Sequence, residues 1–118
     1  MTLDEARKIL EAKTLVGNGL DRIDLKMGCG ADLMSDVLAF AKKDALLLTG
    51  LTNTQVIRTG EVAEVVAICF VRGKRPRAET IELAVESGMP LLASELPMFE
   101  ACGRLACHGL KGCSEVHT

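Results

Sequence analysis

Apolar residues along this chain fall into two patterns: short unbroken runs, and stripes spaced three or four apart. The runs Ala45–Leu48 and Val65–Val71 carry no polar interruption. Such runs mark strands buried on both faces, as in a parallel sheet covered by helices. The stripe Leu3, Ala6, Ile9, Leu10 predicts a first helix over Leu3 to Lys13, opened by Thr2 with Glu5 three residues on. Thr14–Val16 reads as a short strand, Gly17-Asn18-Gly19 as a turn, and Ile23–Met27 as an alternating strand. Gly28-Cys29-Gly30 is expected to break the chain before a helix over Ala31 to Lys42, with Leu33, Met34, Val37, Leu38 and Ala41 as its inward stripe.

The second half repeats the alternation. A hydroxyl-rich loop, Thr49 to Asn53, leads to a helix over Thr54 to Glu64 capped by Asn53 or Thr52. Gly60 is unfavourable inside a helix unless it permits close packing on the sheet. A helix over Pro76 to Ser87, with Ala78, Ile81, Ala84 and Val85 inward, ends at Gly88 as a left-handed stop. Pro90–Ala93 is a further strand, and Pro97 opens a last helix with Met98, Ala101, Cys102 and Leu105 inward. The predicted fold is α/β: a three-layer α/β/α sandwich on a mostly parallel sheet. Residues 1–107 form the single expected domain, and 108–118, which have no pattern, a flexible tail. Right-handed crossovers line up the loops Gly28–Asp32, Thr49–Thr54, Arg72–Arg77 and Ala93–Pro97 on one sheet edge.

Composition narrows the classes. The 118 residues are 48% apolar, which rules against disorder and suffices for a core. A net charge of −2 and 3% aromatics argue against nucleic-acid binding and base-stacking platforms. No stretch has the length of a membrane span, and the acidic start Met1-Thr2-Leu3-Asp4-Glu5 lacks the form of a signal peptide. The expected setting is cytoplasmic, with no membrane partner, and with the five cysteines reduced.

Chemistry concentrates where the run Val65–Val71 gives way to four cations in six residues, Arg72, Lys74, Arg75 and Arg77. A basic loop at the carboxyl end of a parallel strand, opening a helix, is where open α/β sheets take anions. Arg72, Gly73, Lys74 and Arg75 are therefore the first ligand-binding candidates, with free N–H groups at the following helix assisting. Thr49, Gly50, Thr52 and Asn53 are the second group, offering hydroxyl and backbone donors; as helix caps they need no ligand at all. A solvated loop is the plain alternative for the cations.

The cysteines divide in the same way. Cys69 and Cys102 read as small core residues. Cys29, between glycines before a helix, has a setting that lowers a thiol pKa, although an ordinary turn residue is the simpler assignment. Cys107 and Cys113, with His108 and His117 nearby, lack the tight repeat of a metal site. No metal, cofactor or catalytic residue is expected, because both histidines lie in the tail and suit a positioned base poorly.

Phe70 to Pro76, Glu79-Thr80-Ile81-Glu82-Leu83-Ala84 and Gly88-Met89-Pro90-Leu91-Leu92 together resemble the DRTGG domain and the related N-terminal domain of HPr kinase/phosphorylase. Arg58-Thr59-Gly60 echoes part of the naming string, within a predicted helix. Leu48 to Asn53, Arg72 to Pro76 and Met98 to Gly103 are similar to the small stand-alone members found near iron-only hydrogenase components. The resemblance implies a regulatory or ligand-sensing module. No Gly-x-x-x-x-Gly-Lys-Ser/Thr string is present, so kinase activity is not implied.

Three functions follow as expectations. The first is a non-enzymatic module binding an anionic small molecule or a partner. The second is a redox or metal accessory protein using Cys29 or the tail thiols. The third is an interaction domain, expected to be a homodimer through an exposed patch at Phe40, Met98 and Phe99.

Overall fold

The computed structural model of the chain describes residues 1–114. Six strands form one sheet: β1 (Lys13–Val16), β2 (Met27–Gly30), β3 (Ala45–Thr49), β4 (Ala67–Phe70), β5 (Leu91–Ala93) and β6 (Lys111–Gly112). Five helices connect and cover them: α1 (Leu3–Ile9), α2 (Met34–Phe40), α3 (Thr54–Ala63), α4 (Ala78–Ser87) and α5 (Met98–Cys107). The strand order is β1-β5-β4-β3-β2-β6. Among the described residues, only β1 runs antiparallel to its neighbour in the sheet. The expected α/β sandwich with a mostly parallel sheet is thus the observed fold.

Every residue of β3, β4 and β5 is buried, which is why those segments read as unbroken apolar runs. Their side chains alternate between two cores. Leu46, Leu48, Ala67, Cys69 and Leu92 face α1 and α5 with Leu3, Leu10, Ala101 and Leu105. Leu47, Ile68, Phe70 and Leu91 face α2, α3 and α4 with Met34, Val37, Val56, Ile57 and Ala84. Gly60 sits at such a contact: a Cβ there would lie 3.1 Å from Val65 Cγ2 and 3.2 Å from Ile68 Cδ1. The glycine lets α3 lie flush on the sheet. Asn53 caps α3 by accepting from Gln55 N at 3.1 Å, and Gly88 ends α4 at φ +69°, as expected.

Three expectations fail, each for a packing reason. Gly28-Cys29-Gly30 is a strand, β2, and Ile23–Met27 is largely its approach, following a 3-10 turn at Leu20–Arg22. The glycines serve the α5 face. A Cβ on Gly30 would meet Cys102 Sγ at 2.9 Å and Met98 Sδ at 3.1 Å, and one on Gly28 would meet Leu110 at 3.1 Å. Residues 108–114, expected as part of a loose tail, turn at Gly109 and add β6 beside β2, with Leu110 packed on the first core; residues 115–118 lie outside the described residues. Leu33, Leu38 and Val85, periodic in sequence, are 61%, 53% and 62% exposed, because α2 buries only Met34 and Val37 and α4 only Thr80 and Ala84. Of the expected patch, Phe40 and Phe99 are exposed, whereas Met98 packs inward.

Glycine context decides the sign of substitution. Gly103, mid-helix in α5, has nothing within 4 Å of an added Cβ. Gly103→Ala should stabilise the fold by about 0.5–1 kcal/mol through helix propensity. Gly60→Val should destabilise it by about 1–3 kcal/mol through overpacking. Urea unfolding of both variants measures the two effects, which must have opposite sign.

Candidate functional site

The parallel strands β2 to β5 end on one edge, and the helices that follow them do not all cover the same face. α4, after β4, lies on the second core, whereas α5, after β5, lies on the first. The chain therefore changes face between the carboxyl ends of β4 and β5, the crevice where open α/β sheets place ligands. The basic loop is one wall of that crevice.

The loop is bound tightly to its neighbour. Arg72 N donates to Leu96 O at 2.8 Å and Gly73 N to Ser94 O at 2.9 Å, while Lys74 N closes a turn onto Val71 O. Arg72 and Gly73 both adopt positive φ, +59° and +67°. The φ of +67° at Gly73 favours glycine there, since a side chain in that conformation is strained. These main-chain donors are spent on the fold, which corrects the expectation that the loop offers Gly73 directly to a ligand. What it offers is side chains. Arg75 pairs with Glu95 at 3.7 Å, and both are exposed. Among the described residues, Arg72, Lys74 and Arg77 make no ion pair.

Asp32, just after β2, reaches across to the end of β3. Its Oδ1 accepts from Gly50 N at 2.7 Å and from Thr49 Oγ1 at 3.2 Å. Thr49 is fully buried, and its hydroxyl also accepts from Leu51 N. Two donors expected to face a ligand thus hold a carboxylate of the chain itself. Asp32, Gly50, Arg72 and Lys74 line a small cleft of about 90 Å³ floored by Val71 and Met98. Thr52 and Asn53 belong to a different depression, of about 320 Å³, shared with Arg77, Glu79 and Thr80. There the N-termini of α3 and α4 lie side by side, tied by Thr80 Oγ1 donating to Thr52 O at 3.0 Å. Helix N-termini carry partial positive charge and unpaired N–H groups, and Arg77 adds a full charge.

The structure thus brings Gly50, Arg72 and Lys74 together, sets Thr52 and Asn53 beside them, buries Thr49 as a support, and turns Gly73 and Arg75 toward Glu95. Asp32, Arg77 and Thr80 complete the surface. Asp32 reaches this edge because Gly28-Cys29-Gly30 is a strand and Asp32 follows its end.

No protein-family model matches the sequence, and no curated protein matches it. Among solved structures, the fold matches the CBS and DRTGG domains of the regulatory region of Clostridium perfringens pyrophosphatase, in complex with its activator diadenosine tetraphosphate, at a TM-score of 0.63. The likeness takes in 93% of this chain and 47% of that one, at 16% sequence identity. This chain spans about half the length of the protein it matches. What the two share is the fold.

The cysteines stand apart from this edge. Cys29 lies in β2, half-buried, and burial pushes its thiol up to about 11, with Cys113, Cys102 and Asp36 adding in the same direction. The turn setting expected to lower it does not exist. Burial likewise pushes Cys69 up to about 12, and raises Cys102. Among the described residues, no group of three His, Cys, Asp or Glu is placed to hold a metal ion. His108 lies at the end of α5 with Nδ1 2.8 Å from Arg104 O, and His117 is outside the described residues.

These shifts have two measurable consequences. Iodoacetamide at about pH 8 should label exposed Cys107 first and Cys69 last, with Cys29 well behind Cys107. Cys29 and Cys69 have folded values above their ordinary 9.0, so their contribution to stability is full below about pH 9 and is lost as pH rises toward 11 to 12. Tm should hold up to about pH 9 and fall between there and pH 11 to 12, less steeply in Cys69→Ala.

Proposed function

We propose that this chain is a regulatory, ligand-sensing module that binds a phosphate-bearing small molecule along the carboxyl edge of its sheet, without transforming it. The observation that carries the reading is the set of cations Arg72, Lys74 and Arg77, which make no ion pair among the described residues, at the place where the chain changes face. Keeping three like charges on one rim disfavours the compact state through mutual repulsion, a disadvantage that an arriving polyanion reverses. Both depressions are lined by the loops that follow β3 and β4, and in this reading a ligand with several phosphates engages Lys74 and Arg72 at the cleft and Arg77 with the α4 N-terminus at the other. The structurally similar regulatory region is complexed with diadenosine tetraphosphate, a ligand of this chemical class. A place beside iron-only hydrogenase components rests on the sequence resemblance alone.

Asp32 gives the site its threshold. Its carboxylate, held by Gly50 N and Thr49, lines the same cleft as Arg72 and Lys74. It partly neutralises them and repels an incoming phosphate. The site in this reading selects ligands carrying enough charge to outweigh one carboxylate, and disfavours monoanions.

Calorimetry at low salt with diadenosine tetraphosphate, ATP and uncharged adenosine tests the proposal. Polyphosphates should bind with a salt-sensitive affinity and adenosine should not. Arg72→Ala/Lys74→Ala should weaken binding by tenfold or more, on the order of 1.5 kcal/mol for each charge-assisted contact. Asp32→Asn, which keeps the acceptor oxygen, should strengthen it by about fivefold, the effect of removing roughly 1 kcal/mol of repulsion. Equal affinity in the double variant, or no binding of any polyphosphate, contradicts the reading.

A further inference from the structure

The lateral margin of the sheet, where β6 lies beside β2, carries a second feature. β6 is two residues long and exposed, and it pairs in parallel with β2 in the register Met27↔Lys111, Gly28↔Gly112. One step further along this register stand Cys29 and Cys113. Adjacent strands run about 4.8 Å apart, inside the Cα separation of about 4.4–6.8 Å that a disulfide spans. Both cysteines pack against the same core, that of α2 to α4, so their side chains lie on one side of the sheet. The two thiols interact side chain to side chain, and Cys113 Sγ also donates to Gly28 O at 3.7 Å. Cys69 and Cys102 belong to the other core, and Cys107 is exposed on α5.

We propose that Cys29 and Cys113 form a reversible cross-strand disulfide that clamps β6 to the sheet, making this margin a thiol-oxidation site that responds to low-molecular-weight disulfides. Oxidation removes one long thiol hydrogen bond, Cys113 to Gly28 O, and among the described residues neither cysteine belongs to a group placed to hold a metal ion. Cys113, beyond the end of β6, meets the oxidant first. Its thiolate attacks one sulfur of RSSR, forming Cys113–S–S–R and releasing RS⁻. The Cys29 thiol then gives up its proton and attacks the Cys113 sulfur; the bond to RS breaks, and a second RS⁻ leaves. Two protein thiols are oxidised and one small disulfide is reduced to two thiols. Burial holds Cys29 protonated, so the second step is the slower one and quickens as pH rises.

The clamp has a structural consequence. Leu110, immediately before β6, packs over Gly28 and lines a cavity of about 250 Å³ with Gly30, Leu48, Cys102 and Leu105. Two ladder residues hold that segment in the reduced protein. A disulfide closing a loop of 84 residues' separation ties it covalently to β2.

The test uses the protein with Cys107→Ser, which removes the exposed thiol as a source of dimers, exposed to oxidised glutathione, then alkylated under denaturing conditions and mapped by mass spectrometry. The expected product is one intramolecular link between Cys29 and Cys113. It should be reversed by dithiothreitol, and Tm should rise by roughly 5 °C or more over the reduced protein. Cys113→Ser, at the margin and compatible with folding, should abolish both the link and the rise, as should Cys29→Ser. Separate glutathione adducts on the two cysteines, a link to Cys69 or Cys102, or a Cys29–Cys113 link that leaves Tm unchanged would overturn the proposal.

Discussion

Two-faced burial of the parallel strands β3, β4 and β5 is the constraint on which the rest of the molecule depends. A strand with no solvated face needs helices on both sides of its sheet, and this chain has five to distribute. Three successive crossovers put α2, α3 and α4 on one face, and α1 and α5 cover the other. That division forces the chain to change face between β4 and β5. The crevice, the basic loop and the two paired helix N-termini are all consequences of covering one sheet twice.

The edge so created is electrostatically unfinished. Main-chain hydrogen bonds from Arg72 and Gly73 to the Ser94–Leu96 segment fix the loop's shape and leave its side chains outside that network. The carboxylate of Asp32 satisfies the donors at the end of β3, and Glu95 answers Arg75, while among the described residues Arg72, Lys74 and Arg77 make no ion pair. A rigid backbone with adaptable cations is suited to recognising charge number and spacing more than the shape of an organic group.

Much of this was legible in the sequence because each signal had one physical meaning. An unbroken apolar run such as Val65–Val71 reports burial on both faces, and the cations that follow it mark a strand end. Gly60 and Gly88 were read correctly because a helix supplied their context. Gly28-Cys29-Gly30 was misread because glycine signals a turn and a flush contact equally well; only the arrival of α5 against Gly30 decides between them. With β2 misplaced, Asp32 could not be seen as the end of a strand, nor Cys29 as a residue inside one. β6, with two polar or glycine positions, has no pattern to read and exists through the packing of Leu110. The partners of the basic loop depended on strand order, which local sequence does not encode.

The central claim, that the carboxyl edge between β3 and β5 is the ligand site, is tested most directly by chemical-shift mapping of the ¹⁵N-labelled protein with a dinucleoside polyphosphate. The account predicts saturable shifts confined to the amides of Gly50, Arg72 to Arg77 and the first turn of α4. Shifts centred instead on the β2–β6 margin, on the amino ends of β1 and β5, or absent altogether would contradict it.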